Sequence, residues 1–518
     1  MNNTDASGAP LSAVQSLAAG AATALLAWGA LSLNLSHVPG LHSDEAWSGL
    51  FAMRMQHNSL LSLHAMNWYT SSIYEWLLAR VFDVFGAGVF QLRAAGAALN
   101  ALAAGGMAAF AGALFGLEAV LAVAGLLLLL PFFPLESRLA WEACAFQNAL
   151  TLAFIAALWA VRRGQRLGLG SALALCFAAA LGTLNHVIFL ALPLAAAFGL
   201  FLWQTANDDA RFSKPLFASI AVLAQLAVLV LCKKGLSQEL WVAHRTAALL
   251  FFALLPLASA FAIWLWQDSG SRLCVNLSQK SAGHKHVKKA LLYLAGAGLA
   301  ATLWFHGTAF LGLLSGFNVL KRIFSLDLGL AGACVLFPFA AVLCGAVLEG
   351  AWKACKDSQD ETARIFAGLM LLSYCAVFTA LRNTNSLRYY VAFFFLFVFA
   401  ASAFLPAFLR RSASPLRLFM AACAVAVSLI TYIETALPQP RPPFHYTQGW
   451  HDENSAHMID TSALAAALSR KGVCVFEGDP FLVRPLEFYY AARKWPCRPG
   501  LRFSGEYCQN CQEPPYIK

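Results

Sequence analysis

Long apolar runs alternate with short polar segments along most of this chain. A helix that spans a bilayer needs about 20 mostly apolar residues, and thirteen runs approach that length. They lie near 14–36, 94–115, 119–134, 142–161, 167–184, 187–204, 215–232, 246–266, 290–308, 328–348, 365–381, 390–409 and 417–436. The pattern predicts an all-α polytopic membrane protein with about thirteen transmembrane helices. The shortest runs, such as the third, could also be re-entrant or strongly tilted.

The composition excludes several soluble classes. Hydrophobic residues make up 59% of the 518 residues and charged residues only 12%, about half of the roughly 25% found in ordinary globular domains. Such a chain cannot be a soluble enzyme, a disordered protein or a fibrous one. The net charge of +10 does not indicate nucleic-acid binding, because most basic residues lie in short loops between apolar runs and act as topology markers.

The basic residues also predict the orientation of the chain in the membrane. Lys and Arg are more frequent in the loops that an inside N-terminus places on the inner side. Thirteen spans then place residues 437–518 outside. The first run follows no Lys or Arg and has no convincing cleavage site, so we expect a retained helix and not a signal peptide. The predicted location is the inner (plasma) membrane, with the C-terminus on the extracytoplasmic side.

Two regions outside the membrane have their own organisation. We predict a transmembrane domain over 1–436, whose outer segment 37–93 holds two surface helices, in HSDEAWSGLFAMRMQHNSL and TSSIYEWLLARVFDVFG. A proline-rich linker at 438–444 then leads to a small α/β domain within 437–518. In that domain GVCVFEG and GLRFSGEY read as strands and PLEFYYAARKW as a helix.

The cysteines of the C-terminal region suggest an oxidising compartment. Cys474, Cys497, Cys508 and Cys511 lie in the last 82 residues, and an even number in a small outer domain is typical of disulfides. The four residues allow three pairings, between which the sequence does not choose. A zinc site is the alternative, although only one CxxC pair is present.

The clearest candidate for chemistry is the adjacent pair Asp44 and Glu45 in HSDEAW, just after the first span. A partly desolvated carboxylate at the membrane boundary can act as a general base. The alternative is a helix cap, in which Ser43 or Asp44 caps the surface helix and Glu45 favours its N-terminal dipole. The two interpretations are compatible.

A second cluster of charges lies between the third and fourth spans. Glu136, Arg138 and Glu142 occur in PLESRLAWEACAF at a predicted outer boundary. Charges at such depth are rare and usually face a cavity, which favours a site component. The alternative is an Arg138 that reaches to the interface and pairs with Glu142 at i,i+4.

The remaining candidates are cations and a histidine. Arg388, followed by Tyr389, opens the twelfth span on the outer side, where a guanidinium can bind a phosphate bidentately. Lys321 and Arg322 are a second candidate phosphate contact, with lipid headgroups as the alternative. His186, near the outer end of a span, is a candidate contact for a polar substrate and equally a satisfied interfacial histidine.

The chain has no evident means of using ATP. The sequence contains no P-loop, no Rossmann glycine pattern and no HExxH motif. A donor that carries its own leaving group, such as a lipid phosphate, would need no ATP.

This arrangement resembles the GT-C membrane glycosyltransferases. The resemblance rests on a DE pair after the first span, a long first outer loop with surface helices, an Arg-containing outer loop after span three, and R-Y-Y entering a late span. The branch that contains the protein O-mannosyltransferases and the lipid A aminoarabinose transferases is the most similar in layout, with thirteen spans and a small outer C-terminal domain. The resemblance extends over the whole chain in layout, and HSDEAW is its most specific motif.

The resemblance implies an enzyme that moves a sugar from a polyprenyl-phosphate donor to the hydroxyl of a glycolipid, glycan or protein acceptor on the outer face. Asp44 would be the general base, Glu45 would help to shape the site and Arg388 would grip the carrier phosphate. Several members of the family have an acidic residue in the second outer loop, and Glu136 and Glu142 compete for that role. The partners would be the lipid-linked donor, the acceptor and membrane lipid, with no nucleic acid. No cofactor is required, and a divalent metal held between two carboxylates is compatible with the residues.

Three other functions compete with glycosyl transfer. A transporter or flippase of lipid-linked sugars would show internal repeats and charges near mid-membrane, neither of which occurs here. A polysaccharide ligase would use similar chemistry but would not need a DE pair after the first span. A structural membrane subunit would not explain the clustered outer acids.

Overall fold

The structure is a computed structural model. It describes residues 9–58, 66–67, 69–163, 168–207, 210–236, 243–283, 285–324, 326, 328–356, 362–378, 387–437, 461–478, 480–495 and 500–503.

The described helices follow the predicted apolar runs closely. In chain order they are α1 (Ala13–Ser32), α2 (Ser43–Asn58), α3 (Ile73–Phe85), α4 (Val89–Phe115), α5 (Leu117–Leu129), α6 (Phe132–Glu136), α7 (Glu142–Arg163), α8 (Leu169–Asn185), α9 (Ala191–Asn207), α10 (Ser213–Gly235), α11 (Arg245–Gly283), α12 (Lys285–Leu314), α13 (Phe317–Phe324), α14 (Gly329–Lys356), α15 (Thr362–Phe378), α16 (Val391–Arg411), α17 (Ser414–Ala436), α18 (Ser462–Arg470) and α19 (Pro480–Ala492). Among the described residues, ten helices are long and apolar enough to cross a membrane. Three shorter apolar helices, α5, α8 and α15, occupy the other predicted runs. The chain is therefore a polytopic all-α membrane protein, and the crossing of all thirteen helices stays a prediction.

Helix α16 lies at the centre of the bundle. Every residue from Val391 to Leu405 is buried, although a single helix in lipid would expose most of its surface. Its aromatic side chains pack against neighbouring helices; for example, the rings of Phe393 and Phe310 stack with centroids 4.0 Å apart. By contrast, α1 exposes Leu17 and Leu25, as expected of a helix that faces lipid.

Two glycines allow α1 and α4 to approach closely. A Cβ atom on Gly20 would lie 2.7 Å from the carbonyl oxygen of Gly105, and one on Gly105 would lie 2.5 Å from that of Gly20. Side chains larger than hydrogen would separate the two helices, which is the usual role of small residues between membrane helices. This contact fixes α1, and therefore the chain that leaves α1 toward α2.

The long helix α11 differs from the prediction. The sequence predicts a span over 246–266 followed by an inner loop, but the helix extends for 39 residues to Gly283. At about 1.5 Å per residue it is roughly 58 Å long, much more than the roughly 30 Å of a bilayer core. Polar residues after Trp266 therefore continue the helix beyond the apolar part and do not end it.

The outer layer combines the predicted surface helices with the C-terminal region. Helices α2 and α3 lie within the predicted stretches, and the predicted helix and strands are found as α19, β1 (Val475–Gly478) and β2 (Gly500–Phe503). The two strands pair in parallel, Val475 opposite Gly500. Cys474 is disulfide-bonded; Cys497, Cys508 and Cys511 lie outside the described residues.

The C-terminal region packs directly on the helix that carries the acidic pair. Phe488 of α19 and Leu50 of α2 belong to one apolar cluster, together with Leu78 and Phe82 of α3. Gly49 allows this contact because it has no side chain. A Cβ atom at this position would lie only 2.3 Å from Cε2 of Phe488. The predicted boundary of the C-terminal domain, after 436, stays a prediction.

Candidate active site

Asp44 and Arg388 form an ion pair at one end of the bundle. Asp44 lies in the first turn of α2, and Arg388 lies in the short 3-10 turn Leu387–Tyr390 that leads into the central helix α16. The Nη1 atom of Arg388 donates to Oδ2 of Asp44 at 2.8 Å, and the two side chains are 17% and 21% exposed. The structure therefore pairs the predicted general base with the predicted phosphate-binding residue, although the two residues are 344 positions apart in sequence.

The start of α2 explains how the Asp44 carboxylate stays available. His42, not Asp44, is the side chain that accepts a hydrogen bond from the first turn, because its Nδ1 accepts from the backbone N–H of Asp44 at 3.0 Å. Glu45 closes the reciprocal bond, accepting from the backbone N–H of His42 at 3.1 Å. Two of the open donors at this helix start are therefore satisfied without the Asp44 side chain. Its Oδ1 atom makes no hydrogen bond with any described residue.

Glu45 and Arg93 form a second pair, and it is fully buried. Nε and Nη2 of Arg93 donate to the two carboxylate oxygens of Glu45 at 2.8 and 2.7 Å, and both side chains are 0% exposed. The backbone N–H of Ala140 also donates to Glu45 Oε1 at 2.7 Å. The other contacts of the Arg93 guanidinium are the carbonyl oxygens of Leu35, Pro39 and Gly40. Glu45 thereby ties α2 to α4 and to the turn before α7, which is a positioning role.

A small, partly open cleft lies beside the Asp44–Arg388 pair. Its lining consists of Asp44, Trp47, Ser48, Met66, Asn67, Tyr69, Thr70, Glu75 and Arg388. Glu75 is buried on α3, where its Oε1 accepts from the Ser48 hydroxyl at 2.9 Å. The cleft thus has two carboxylates, one cation and several uncharged polar groups, a set suited to a ligand that carries hydroxyl groups and an anion.

Aromatic rings hold the Arg388 guanidinium. Its central carbon lies 5.1 Å from the centroid of Trp141 and 5.3 Å from that of Tyr389. Rings at this distance attract a cation electrostatically. Both rings restrict the guanidinium to the side of the cleft where Asp44 lies.

His186 lies behind Tyr389 and not among the cleft-lining residues. Its ring centroid is 5.7 Å from that of Tyr389 and 5.3 Å from that of Tyr69, and its Nδ1 accepts from the backbone N–H of Ile188 at 3.1 Å. Burial, reinforced by the charges of Arg388 and Lys233, lowers the pKa of His186 to about 3. At neutral pH it is therefore an uncharged ring that supports two residues of the cleft.

The local charges keep Asp44 ionised. Burial raises the pKa of its carboxyl group, but the electrostatic interactions with His42 and Arg388 and the hydrogen bond from Arg388 outweigh burial, so the net pKa lies below the ordinary value of 3.8. In the absence of ligand, Asp44 is therefore a carboxylate held by a cation and is a weaker base than an unpaired carboxylate.

The structure does not bring Arg138 to the cleft. Its side chain is buried, and the guanidinium donates to four backbone carbonyl oxygens at 2.7–3.0 Å, those of Ala30, Leu33, Val38 and Pro134. Arg138 therefore binds the end of α1 to the segment around α6. The alternative, an i,i+4 pairing with Glu142, involves a side chain outside the described part of the chain and stays a prediction.

The other predicted residues also lie apart from the cleft lining. Glu136 ends α6 and is fully buried. Glu142 begins α7, but its side chain lies outside the described part, as does that of Arg322. Lys321 is exposed on α13, whose apolar side chains Val319 and Leu320 are buried. Their assignment to the site stays a prediction.

Three residues of the site region escaped sequence interpretation. Glu75 is one of two acids in the amphipathic helix α3, with no motif around it. Arg93 immediately precedes the predicted span 94–115 and therefore reads as a loop cation, but it lies inside α4, where a fully buried charge requires a partner. Trp141 lies within the charged segment 134–146 and next to an apolar run, and nothing in this local sequence indicates a contact with Arg388.

The described residues do not complete a metal site. No group of three or more His, Cys, Asp or Glu side chains in the described part of the chain is arranged to hold a metal ion. Asp44 and Glu75 supply carboxylates to one cleft, but Asp44 is already bound to Arg388.

Solved structures with the same fold include membrane glycosyltransferases. The Archaeoglobus fulgidus oligosaccharyltransferase, in its complex with zinc and sulfate, matches with a TM-score of 0.50 and 15% identity, over 91% of this chain and 69% of that chain. ArnT from Cupriavidus metallidurans bound to undecaprenyl phosphate matches with a TM-score of 0.39 and 14% identity, over 96% and 87%. No family model and no curated protein sequence matches the chain.

A further match shows how much of such enzymes this chain spans. Archaeal oligosaccharyltransferase AglB from Archaeoglobus fulgidus, in complex with an inhibitory peptide and a dolichol-phosphate, has a TM-score of 0.49 and 15% identity over 82% of this chain. Only 56% of that chain is covered, so this protein spans little more than half of its length. At these identities the likeness concerns the fold, and the chain has the GT-C fold of membrane glycosyltransferases.

Proposed function

We propose that this GT-C-fold protein is a glycosyltransferase that moves a sugar from a polyprenyl-phosphate donor to an acceptor hydroxyl. The observation that carries the proposal is the Asp44–Arg388 pair, which places a carboxylate and a phosphate-binding cation side by side in one open cleft. Transfer from a lipid phosphate needs a base for the acceptor and a cation for the departing phosphate.

The reaction is a single displacement at the anomeric carbon of the sugar. Asp44 accepts the proton of the acceptor hydroxyl as the new bond from oxygen to carbon forms. The bond between that carbon and the phosphate oxygen breaks, and the phosphate leaves with the electron pair and its negative charge. Arg388 binds this phosphate. One displacement inverts the configuration of the anomeric carbon.

Donor binding would also activate the base. In the free protein, the guanidinium of Arg388 lowers the pKa of Asp44. When a donor phosphate binds Arg388, it neutralises the charge that acts on Asp44, and the pKa of Asp44 rises. A general base is most effective when its pKa approaches the working pH, so the base becomes stronger when the donor is in place.

Glu75 has a role that complements Asp44. Its Oε1 is held by Ser48, and the carboxylate lines the same cleft. A second fixed carboxylate can accept hydrogen bonds from sugar hydroxyl groups and stabilise positive charge that develops on the sugar ring. We therefore assign Glu75 to sugar binding and Asp44 to proton transfer.

The finer features of the proposal follow the sequence. Thirteen spans with an inner N-terminus place α2, α19 and the cleft on the outer side of the inner (plasma) membrane. The acceptor would be a glycolipid, a glycan or a protein. A flippase would require its charged site near mid-membrane, whereas Asp44 and Arg388 lie at the starts of α2 and of the turn before α16.

The decisive experiment compares the glycans of cells that carry or lack the gene. Mass spectrometry of the glycolipid, polysaccharide and glycoprotein pools should show one sugar modification that is absent without the gene. Wild-type protein should restore it and Asp44→Asn should not. Asp83→Asn is the matched control, because Asp83 is an exposed carboxylate of α3 paired with Arg80 at 2.7 Å. Identical pools with and without the gene would contradict the proposal.

A further inference from the structure

The C-terminal helix α19 brings another arginine to the neighbourhood of Asp44. Phe488 of α19 packs on Gly49 of α2. Arg484 is one turn before Phe488, about 6 Å along the helix, and Asp44 precedes Gly49 on α2. The Arg484 charge acts on the carboxylate of Asp44, which indicates that the beginnings of the two helices lie on the same side.

The neighbours of Arg484 support this arrangement. Burial raises the pKa of Glu487, which lies one turn after Arg484 in α19. The charges of Arg54, near the other end of α2, and of Arg484 lower it. Helix α19 therefore runs along α2 in the same direction. Its first turn lies toward Asp44, and the following turn lies toward Arg54.

Arg484 differs from the other arginines of this region in its contacts. Arg93 and Arg138 are fully buried and donate to carboxylate or carbonyl oxygens, and Arg388 is paired with Asp44. Arg484 is half-buried, and within the described residues no hydrogen bond or ion pair holds its guanidinium. A guanidinium has five N–H donors, so this cation retains its capacity for an anion.

We infer that Arg484 is a second anion-binding residue, placed beside the cleft and supplied by the C-terminal region. Its ligand is a phosphate or carboxylate group of a substrate that is held beside Asp44. This inference rests on the proposed function, because it assigns part of the same site. It makes the C-terminal region a component of substrate binding and not only a cover for α2.

The anion has two sources, which binding measurements distinguish. If it is the donor phosphate, Arg484 and Arg388 hold it from two sides. If it is an anionic group of the acceptor, Arg484 binds it while Arg388 holds the donor. In both cases the loss of a charge-assisted hydrogen bond should weaken binding by about tenfold or more.

The test uses the full chain in lipid nanodiscs, with undecaprenyl phosphate and inorganic phosphate as probes. Arg484→Gln is compared with Arg493→Gln, a matched change just after α19, where Arg493 lies over Trp495 at 5.2 Å. Arg484→Lys, which keeps the charge, should bind better than Arg484→Gln. Thermal unfolding of each variant confirms that α19 remains folded.

A donor phosphate is identified if Arg484→Gln weakens undecaprenyl phosphate binding and Arg493→Gln does not. An acceptor anion is identified if only inorganic phosphate binding to the carrier-loaded protein is weakened. Equal affinities of Arg484→Gln and Arg493→Gln for both probes would overturn the inference and leave the proposed function intact. A wild-type protein that does not bind undecaprenyl phosphate would instead count against the proposed function, while inorganic phosphate still tests Arg484.

Discussion

Two consecutive carboxylates in this protein have opposite environments. Glu45 is completely buried, and each of its oxygens accepts two hydrogen bonds, from Arg93 and from a backbone N–H. Asp44 has one ion pair, with Arg388, and faces an open cleft. The comparison shows that an arginine–carboxylate pair is structural when all of its polar atoms are satisfied. It is available for chemistry when water and ligands can reach it and an oxygen remains without a partner.

The largest expected effect is the loss of folding stability when the buried Glu45–Arg93 pair is broken. Each carboxylate oxygen of Glu45 accepts from two N–H donors. In Glu45→Gln, one of these oxygens becomes an NH₂ group, and in either orientation of the amide this group faces two N–H donors and cannot accept from them. Arg93 also loses its counter-charge. Breaking a buried pair costs about 3–5 kcal/mol, so the variant should show a much lower thermal unfolding temperature and lower membrane levels. A stable variant would show that Glu45 does not hold the outer layer.

The second effect separates catalysis from stability at Asp44. Asp44→Asn removes the charge and the basic oxygen, so the transfer rate should fall by roughly 100-fold or more. The unfolding free energy should change by about 1 kcal/mol or less, because the pair is partly exposed and His42 caps the helix. Rates and unfolding temperatures of the purified protein test both statements. If Asp44→Asn transfers sugar at the wild-type rate, the Asp44 carboxylate is structural and is not the general base.

A smaller effect is expected on the cation side of the pair. Arg388→Lys keeps the positive charge but loses the planar fork and its stacking between Trp141 and Tyr389. Undecaprenyl phosphate should bind about tenfold more weakly, on the scale of one charge-assisted hydrogen bond. Arg410→Lys, at the other end of α16, is the control and should bind like the wild type. Unchanged affinity of Arg388→Lys would remove Arg388 from phosphate binding.

The pH dependence should reveal the coupling between Arg388 and Asp44. The pKa of Asp44 lies below 3.8 in the free protein, so its carboxylate is present above that pH and is lost only as pH falls further. The acid limb of kcat/KM, which reports the free enzyme, should therefore lie below pH 3.8. The acid limb of kcat should lie at higher pH, because bound phosphate neutralises Arg388. Coincident limbs would contradict the proposed activation of the base.

The sequence predicted the helices better than it predicted the contacts between residues of the candidate site. An apolar run can be recognised from local composition alone, and each of the thirteen predicted runs contains a helix. Asp44 and Arg388 were identified by motif and position. Their direct pairing depends on the packing of α2 against the head of α16, which no local pattern encodes.

The missed residues have a common physical reason. Arg93 donates to carbonyl oxygens more than 50 positions away in sequence, and Glu75 accepts a hydrogen bond from Ser48 because α2 packs against α3. Such contacts form only after the helices pack. A charge near a membrane boundary therefore indicates that a partner exists, but it does not identify the partner or separate a structural site from a catalytic one.

The burial of α16 also determines how the protein responds to bilayer thickness. Helices that face lipid adjust to a thicker or thinner membrane by tilting, but α16 is surrounded by protein from Val391 to Leu405. The helix that carries Arg388 at its head is thus insulated from hydrophobic mismatch. Affinity for undecaprenyl phosphate should vary little between nanodiscs of short-chain and long-chain lipids, even where the outer helices change their tilt. The bundle thereby holds Arg388, the proposed phosphate-binding residue, at a height set by the protein and not by the membrane around it.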